Sequence, residues 1–364
     1  MHYCYRISAN TIQILVLVIC GTLTALAAGP EREAVEHYSK GLQLVKNRDF
    51  RNAAIAFEQS ITVDPSYGDA HYALAKTYKT LNQFGRATIA FETAAAVGVS
   101  SARVQKQIPQ QLTDVYTKSA VQSFKQKKFR EAIANSEMAL KHNSANPQIL
   151  YLLGLCYGGL RDQEAATDAF QKVIETDPSY VKAYTSLANV QRRQGKFRVA
   201  TKTYRQAIAL DSTQMTAYSG IGRIHLRNKN FEGARVILQK AVRIDPRFAE
   251  GFLLLGHTLN KTAKFHEAIE PLRHAVELDR GHAEAFYRLA QAYYGIGDWR
   301  KALDSSLDAV RKKHDYHAAQ VVVADAYREL GQRREAKIWY NKAKEDNRFK
   351  DWCLHHLKEL DRQP

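Results

Sequence analysis

Four arginines, Arg192, Arg193, Arg223 and Arg227, offer this chain's clearest chemistry by type and spacing, and it is the chemistry of holding an anion. A guanidinium stays charged at any physiological pH, and its planar fork of N–H groups grips a carboxylate or phosphate in two-pronged fashion. The other reactive side chains do not assemble into a site. His314 and His317 stand one turn apart in HDYH, and Cys353, His355 and His356 come together in CLHHL, but neither group completes a tetrahedral metal set. They read as surface histidines on a helix and in a turn. Asn260-Lys261-Thr262 fits the N-glycosylation acceptor pattern, which three residues match readily by chance. No glycine-rich phosphate loop, nucleophile elbow or paired-cysteine metal motif occurs. The expectation is therefore a protein that binds, with no catalytic, cofactor-binding or metal-ligating residues.

The elements that must position these arginines follow from a repeat. DPSYGDAHYALA begins at Asp64, and nearly the same phrase, DPSYVKAYTSLA, begins at Asp177. Asp211-Ser212 lies midway between Asp177-Pro178 and Asp245-Pro246, so the step is 34; Arg193 and Arg227 are separated by the same step. Three steps and an insertion, placed at residues 102–112 (ARVQKQIPQQL), account for the longer interval from Asp64 to Asp177. A fixed period of this size points to an array of small stacked units rather than two or three ordinary domains.

Units beginning at Ala34, Gly68, Thr113, Pro147, Val181, Met215, Ala249, Ala283 and His317 align in columns. The twentieth residue is always alanine, from Ala53 and Ala87 to Ala336, and the eighth is always Gly or Ala. Such columns mark places where two backbones come close and leave no room for a larger side chain. The seventeenth residue is aromatic in seven units: Phe50, Phe84, Phe129, Phe197, Phe231, Phe265 and Trp299. In the fourth unit Leu150, Leu153, Gly154 and Tyr157 form one helical stripe, and Ala166, Phe170 and Val173 form a second. Glycines such as Gly195, Gly297 and Gly331 separate the stripes. Asp-Pro follows the second stripe, with Pro starting the next helix and Asp accepting from unpaired amides. Each unit therefore reads as two antiparallel helices of about 14 and 12 residues.

The pattern resembles the tetratricopeptide repeat. The residues that carry the likeness are Leu-Gly/Ala near the start, Tyr after it, the invariant alanine, an aromatic four later (Phe57, Phe91, Phe170, Tyr204, Tyr340) and a closing Pro. The resemblance implies an all-α fold, a right-handed α-solenoid of about nine helical hairpins whose first helices line a concave groove. It also implies binding rather than catalysis. Residues 34–101 hold repeats one and two, 102–112 the insertion and 113–350 repeats three to nine. Residues 351–364, with Trp352, Leu354 and Leu357, read as an amphipathic capping helix and tail. Ser119 and Ser136 replace bulky residues just after the insertion, so a loose, hinge-like joint is expected there. Pro271 lies inside a second helix and is expected to kink it.

On each first helix the second, fifth, ninth, twelfth and thirteenth residues turn away from the packed stripe. By the resemblance they point into the groove. In the first four units they include Tyr72, Lys76 and Tyr151. In units five to eight they include Asn189, Arg192, Arg193, Arg223, Arg227, His257, Asn260, Lys261, Tyr287 and Gln291. The first half thus offers apolar anchors and the second offers cations. Like charges at adjacent arginines repel unless something compensates them. The residue sets of chaperone-tail binders and the asparagine ladder of the O-linked sugar transferase are both absent.

The 364 residues are 45% hydrophobic and 25% charged, ordinary globular values, with a net charge of +16. Such an excess attracts anionic partners without naming them. Ile12 to Ala28 is almost continuously apolar, with Arg6 before it and Ala25-Leu26-Ala27 at its end. Residues 1–29 read as a secretory signal peptide or a retained membrane anchor, and either places the rest outside the cytoplasm, in the periplasm or another extracytoplasmic space. Cys4 and Cys20 belong to this leader; Cys156 and Cys353 fall several repeats apart and are not expected to pair. The functional expectation is a non-catalytic interaction scaffold in an envelope assembly, secretion or polysaccharide complex. Its partner would be another protein or peptide segment, acidic in character, with membrane contact through the leader and no small-molecule substrate. The alternative is direct binding of a polyanion, whether cell-wall polymer, acidic lipid or nucleic acid, the last ranked lowest because the leader points away from it.

Overall fold

A computed structural model of the chain describes residues 30–362, so the leader lies outside the described residues. Among the described residues there are nineteen α-helices and no strand. They fall into two compact units divided after Pro178.

The first unit holds α1 (Arg32–Lys46), α2 (Phe50–Val63), α3 (Gly68–Thr80), α4 (Phe84–Val97), α5 (Ala102–Lys125), α6 (Phe129–His142), α7 (Pro147–Gly159) and α8 (Gln163–Thr176). The second holds α9 (Val181–Arg193), α10 (Phe197–Leu210), α11 (Met215–Arg227), α12 (Phe231–Ile244), α13 (Ala249–Lys261) and α14 (Phe265–Leu278). It continues with α15 (Ala283–Gly295), α16 (Trp299–Lys312), α17 (His317–Glu329), α18 (Arg333–Ala343) and α19 (Asn347–Arg362). Within each unit, odd and even helices alternate as the first and second rods of successive hairpins. First helices of a regular repeat have 13 residues and second helices 14, the reverse of the lengths expected from sequence.

Packing explains the columns. All nine alanines at the twentieth place, Ala53 through Ala336, have no exposed surface. Where the eighth residue is glycine, the side chain at the twenty-fourth place lies directly on it. A Cβ built on Gly41 would sit 2.5 Å from the Phe57 ring, on Gly154 2.6 Å from Phe170, and on Gly256 2.3 Å from Leu272. The turn between hairpins uses its aspartate as expected: Asp64, Asp211, Asp245 and Asp279 each accept from the amide two residues on, at 2.8–3.0 Å.

The turn inside each hairpin is also uniform. Its fifteenth residue is left-handed in every unit: Arg48, Asn82, Lys127, Arg161, Lys229 and Ala263 have φ of 55–63°, and Gly195, Gly297 and Gly331 have φ of 75–80°. Glycine is therefore used at only three of the nine places that favour it.

Residues 102–112 do not form a hinge. They are the opening turns of α5, which runs 24 residues from Ala102 to Lys125. Ile108 and Leu112 join Phe91, Val115 and Tyr116 in one continuous core, because the added turns carry apolar residues at helical spacing. Ser136 has no exposed surface and donates to the Ala132 carbonyl of its own helix at 2.8 Å, so its hydroxyl needs no other partner. Helix α14 runs through Pro271. Cys156 and Cys353 are buried and unpaired, and burial pushes each thiol up to about 11.

Two substitutions test this account by urea unfolding. Gly256→Val drives a branched side chain into Leu272 and should cost about 2–3 kcal/mol. Ala263→Gly relieves the left-handed backbone of that turn and should add about 1 kcal/mol.

Candidate functional site

In three of the four hairpins of the first compact unit, the fifth residue of the first helix is a tyrosine that lies against the phenylalanine at the twenty-fourth place; the third hairpin has Thr117 and Ser136 there. The Tyr72 ring meets Phe91 edge-on at 5.6 Å, and Tyr151 tilts against Phe170 at 5.5 Å. Both are half-buried, so part of each side chain remains at the surface. Lys76 reaches back over the Tyr72 ring, its Nζ 5.8 Å from the centroid.

In the second unit the four arginines part company. Arg223 donates from Nε (3.0 Å) and Nη2 (2.8 Å) to one oxygen of Glu250, which opens α13. Arg227 lies over the Phe197 ring at 4.9 Å. Arg223 is thus ion-paired, whereas Arg227 keeps its charge over an aromatic ring, so the four guanidinium groups have different surroundings. Arg192 and Arg193 have no carboxylate partner among the described residues, and the Arg192 Nε is buried without a hydrogen-bond acceptor. Arg192, Arg193 and Arg223 all bear on the Tyr204 phenol, which donates to Asn189 Oδ1 at 2.6 Å. Burial raises the pKa of that phenol, and the three guanidinium groups pull it back down.

The remaining groove residues cluster on α13 and α15. Asn260 Nδ2 donates to the Arg288 carbonyl at 2.8 Å, while its Oδ1 is buried and unpartnered. His257 Nε2 is likewise buried and unpartnered. Gln291 donates to the Tyr287 hydroxyl at 2.8 Å, and the Tyr287 ring rests 5.1 Å from Tyr316. Arg288 is tied to Glu284 at 3.0 Å, whereas Lys261 is exposed and has no acid within ion-pair distance among the described residues. Desolvation, with Arg288, Lys261 and Arg223 nearby, lowers the His257 imidazole to about 4, although Glu284 opposes this.

These residues form one side of a depression of about 570 Å³. Its other walls come from α17 and α19, with Val321, Val322 and Asp325 on one and Arg348, Phe349 and Trp352 on the other. Asp325 is buried and accepts from the Tyr340 hydroxyl; burial raises its pKa. Sequence reasoning missed this end of the face for two reasons. Ala318, Val321 and Asp325 are the second, fifth and ninth residues of the ninth unit, so the same positional rule carried one unit further finds them. The α19 residues obey no repeat rule and were read only as a cap.

A trio of possible metal ligands, His355, His356 and Glu359, also lies on α19, but it has a structural task. His356 Nδ1 stands 2.7 Å from both the Arg328 guanidinium and the Glu359 carboxylate, and its ring stacks on Tyr340. The group joins the last helix to the final hairpin.

Comparison with known families decides what these hairpins are. Models described as tetratricopeptide repeat match residues 38–102, 147–180, 185–247, 249–282, 284–315 and 317–345, together well over half the chain. The chain belongs to the tetratricopeptide-repeat family. It is an all-α protein built from the helical hairpins of that family, whose arrays support protein–protein interaction and are generally non-catalytic.

No curated protein sequence matches the chain significantly. Among solved structures, pilF of Pseudomonas aeruginosa is 20% identical over 58% of this chain and 98% of its own, with a TM-score of 0.51. PilW, titled a type IV pilus biogenesis factor, is 17% identical over 58% and 99%, also at 0.51. Cut9–Hcn1 of the APC/C is 14% identical over 90% and 84%, at 0.51. At these identities the likeness is one of fold. No helix among the described residues is long and apolar enough to cross a membrane.

The state of His257 is directly measurable. Its folded pKa lies below the ordinary 6.5, so the unfolded chain takes up a proton first as the pH falls, and stability should drop between about pH 6.5 and 4. Allowing for solvent screening, the loss attributable to this ring is about 1–2 kcal/mol. An NMR titration should place its midpoint near 4, and His257→Gln should flatten the stability profile over that interval.

Proposed function

We propose that this tetratricopeptide-repeat protein is an exported or membrane-tethered scaffold. It holds an extended acidic segment of a partner protein against the exposed faces of its first helices. One observation supports the reading above the rest. On those faces of the second compact unit, Arg192, Arg193 and Lys261 have no carboxylate partners among the described residues, whereas Arg223 and Arg288 are ion-paired and Arg227 lies over an aromatic ring. Cations held together without compensation raise the local potential, and an acidic partner lowers it. The tyrosines of the first unit, Tyr72 and Tyr151, add apolar contact area for the same kind of ligand.

The place of action rests on the leader: Arg6, the apolar stretch from Ile12 to Ala28 and the Ala25-Leu26-Ala27 pattern. The setting it suggests is an envelope assembly, secretion or polysaccharide complex. PilW's role in pilus biogenesis belongs to PilW, and is an example of such a setting.

A second reading has its own observation. Helix α10 and the residue before it carry Lys196, Arg198, Lys202 and Arg205 with no acid among them, a strip suited to a polyanion surface. Salt separates the two readings, since polyanion binding weakens steeply with ionic strength in proportion to the contacts made.

Affinity capture with the purified protein and its Arg192→Glu/Arg193→Glu variant should recover a protein partner with the first and at least tenfold less of it with the second. Equal recovery by both would remove the basic face from the mechanism. Mass spectrometry of the mature chain from the membrane and soluble fractions of its host should show either cleavage after the alanine-rich stretch or an intact leader in the membrane. An intact chain in the cytosol would overturn the export reading.

A further inference from the structure

The depression at the C-terminal end of the second unit has features that a solvated charged face does not require. Successive first helices, the start of α14 and α19 converge on it, and its lining is largely aromatic and aliphatic, with Phe265, Tyr294, Phe349 and Trp352 beside Val321 and Val322. Trp352 remains 51% exposed, an unusual degree for a tryptophan beside so much apolar surface. Its volume of about 570 Å³ exceeds that of any single side chain and suits a bulky residue with its flanking main chain.

The polar groups at its rim have defined roles. Because Asn260 Nδ2 is occupied by the Arg288 carbonyl, its Oδ1 is left as an acceptor without a donor; it is covered by its neighbours, so a ligand N–H reaches it as those side chains move aside. The main chain of an extended segment supplies such donors at regular intervals. The charges sort themselves as well. Arg288 is neutralised by Glu284, Arg348 is held two-pronged by Asp346, and Asp325 is turned to Tyr340. Lys261 is the rim cation left for a ligand, and it stands beside His257, whose Nε2 has no partner.

We propose that this depression seats one bulky apolar side chain of an acidic protein segment. The segment's main chain donates to Asn260 Oδ1, and an adjacent carboxylate lies against Lys261 and His257. The proposal rests on the scaffold reading and locates its anchor, and it gives α19 a share in recognition besides its role as a cap. A carboxylate placed beside His257 offsets the field of Arg288, Lys261 and Arg223, the cations that face the ring, while Glu284 faces it already.

The test uses the full chain and three labelled pentapeptides, all N-acetylated and C-amidated: Asp-Glu-Phe-Glu-Asp, Asn-Gln-Phe-Gln-Asn and Asp-Glu-Ala-Glu-Asp. Binding is followed by fluorescence anisotropy, with Trp352 emission monitored in a Trp299→Phe/Trp339→Phe background. The first peptide should bind at least tenfold more tightly than either control and change the Trp352 emission. Lys261→Glu and Val322→Arg should each weaken it at least tenfold, with thermal melts serving as a check on folding. Lys261 is exposed, so its variant decides the matter if Val322→Arg does not fold. An exposed-surface control in the first unit, Lys40→Glu, should leave this affinity within twofold.

Equal binding of the three peptides, no binding of any, or indifference to Lys261→Glu would overturn the proposal. So would concentration-dependent dimerisation that buries Trp352, which would make a second copy the occupant. Loss of peptide binding only in the arginine double variant would refute the anchor while leaving the scaffold reading intact. The scaffold reading itself fails separately, if partner capture fails.

Discussion

Seven of the nine hairpins place a residue with almost no side chain at the eighth position and a bulky one at the twenty-fourth, and the rest of the fold depends on their contact; Ser136 and Ser306 take the bulky place in the other two. Gly154 beneath Phe170 and Gly256 beneath Leu272 leave no space for a methyl group without displacement of the ring or branch above. The buried alanine at the twentieth place holds the second helix equally close. Because that alanine is buried in all nine units, their hairpins close alike, and the positional rule for exposed residues follows from it. Dispersion and apolar burial at this crossing stabilise a hairpin too small to have a core of its own, and the next hairpin completes the burial.

The turn inside the hairpin works differently. A left-handed residue is required there in all nine units, yet Arg48, Lys127 and Lys229 occupy it in place of glycine. A penalty of about 1–2 kcal/mol each is tolerable because the closely packed helices on both sides determine the path between them. Sequence reasoning found the three glycines and not the other six; Asn82 alone of these carries a local preference for a left-handed backbone, and nothing marks the arginines, lysines and alanine. The insertion shows the opposite limit. Residues 102–112 broke the period and suggested a joint, but Ile108 and Leu112 stand at helical spacing, and they extend α5 into a common core. Interruption of a repeat describes register, and packing decides whether the interruption bends.

The exposed face was legible as positions and less so as chemistry. Asn189, Arg192, Arg223, His257 and Asn260 all came from one column rule, but only coordinates show that Arg223 is spent on Glu250 and Arg227 on Phe197. Pairing of this kind depends on neighbours far apart in sequence, in adjacent hairpins, and close in space. Arg288 shows the same difficulty from the other side. It falls in the sixth place, outside the rule, yet its carbonyl fixes Asn260 and its charge bears on His257. Trp352 and Phe349 had no column at all.

The attachment of α19 through Arg328, His356 and Tyr340 has a consequence for how such an array can change over time. Repeat proteins readily gain or lose modules in their middle, because each module touches only those beside it. Here the closing rod is bolted to the ninth hairpin through His356, which belongs to no repeat, although the fifth hairpin carries the same Arg and Tyr places in Arg192 and Tyr204. Lineages could lengthen or shorten the chain upstream with little penalty, whereas the last modules and their terminator would have to be inherited as one block.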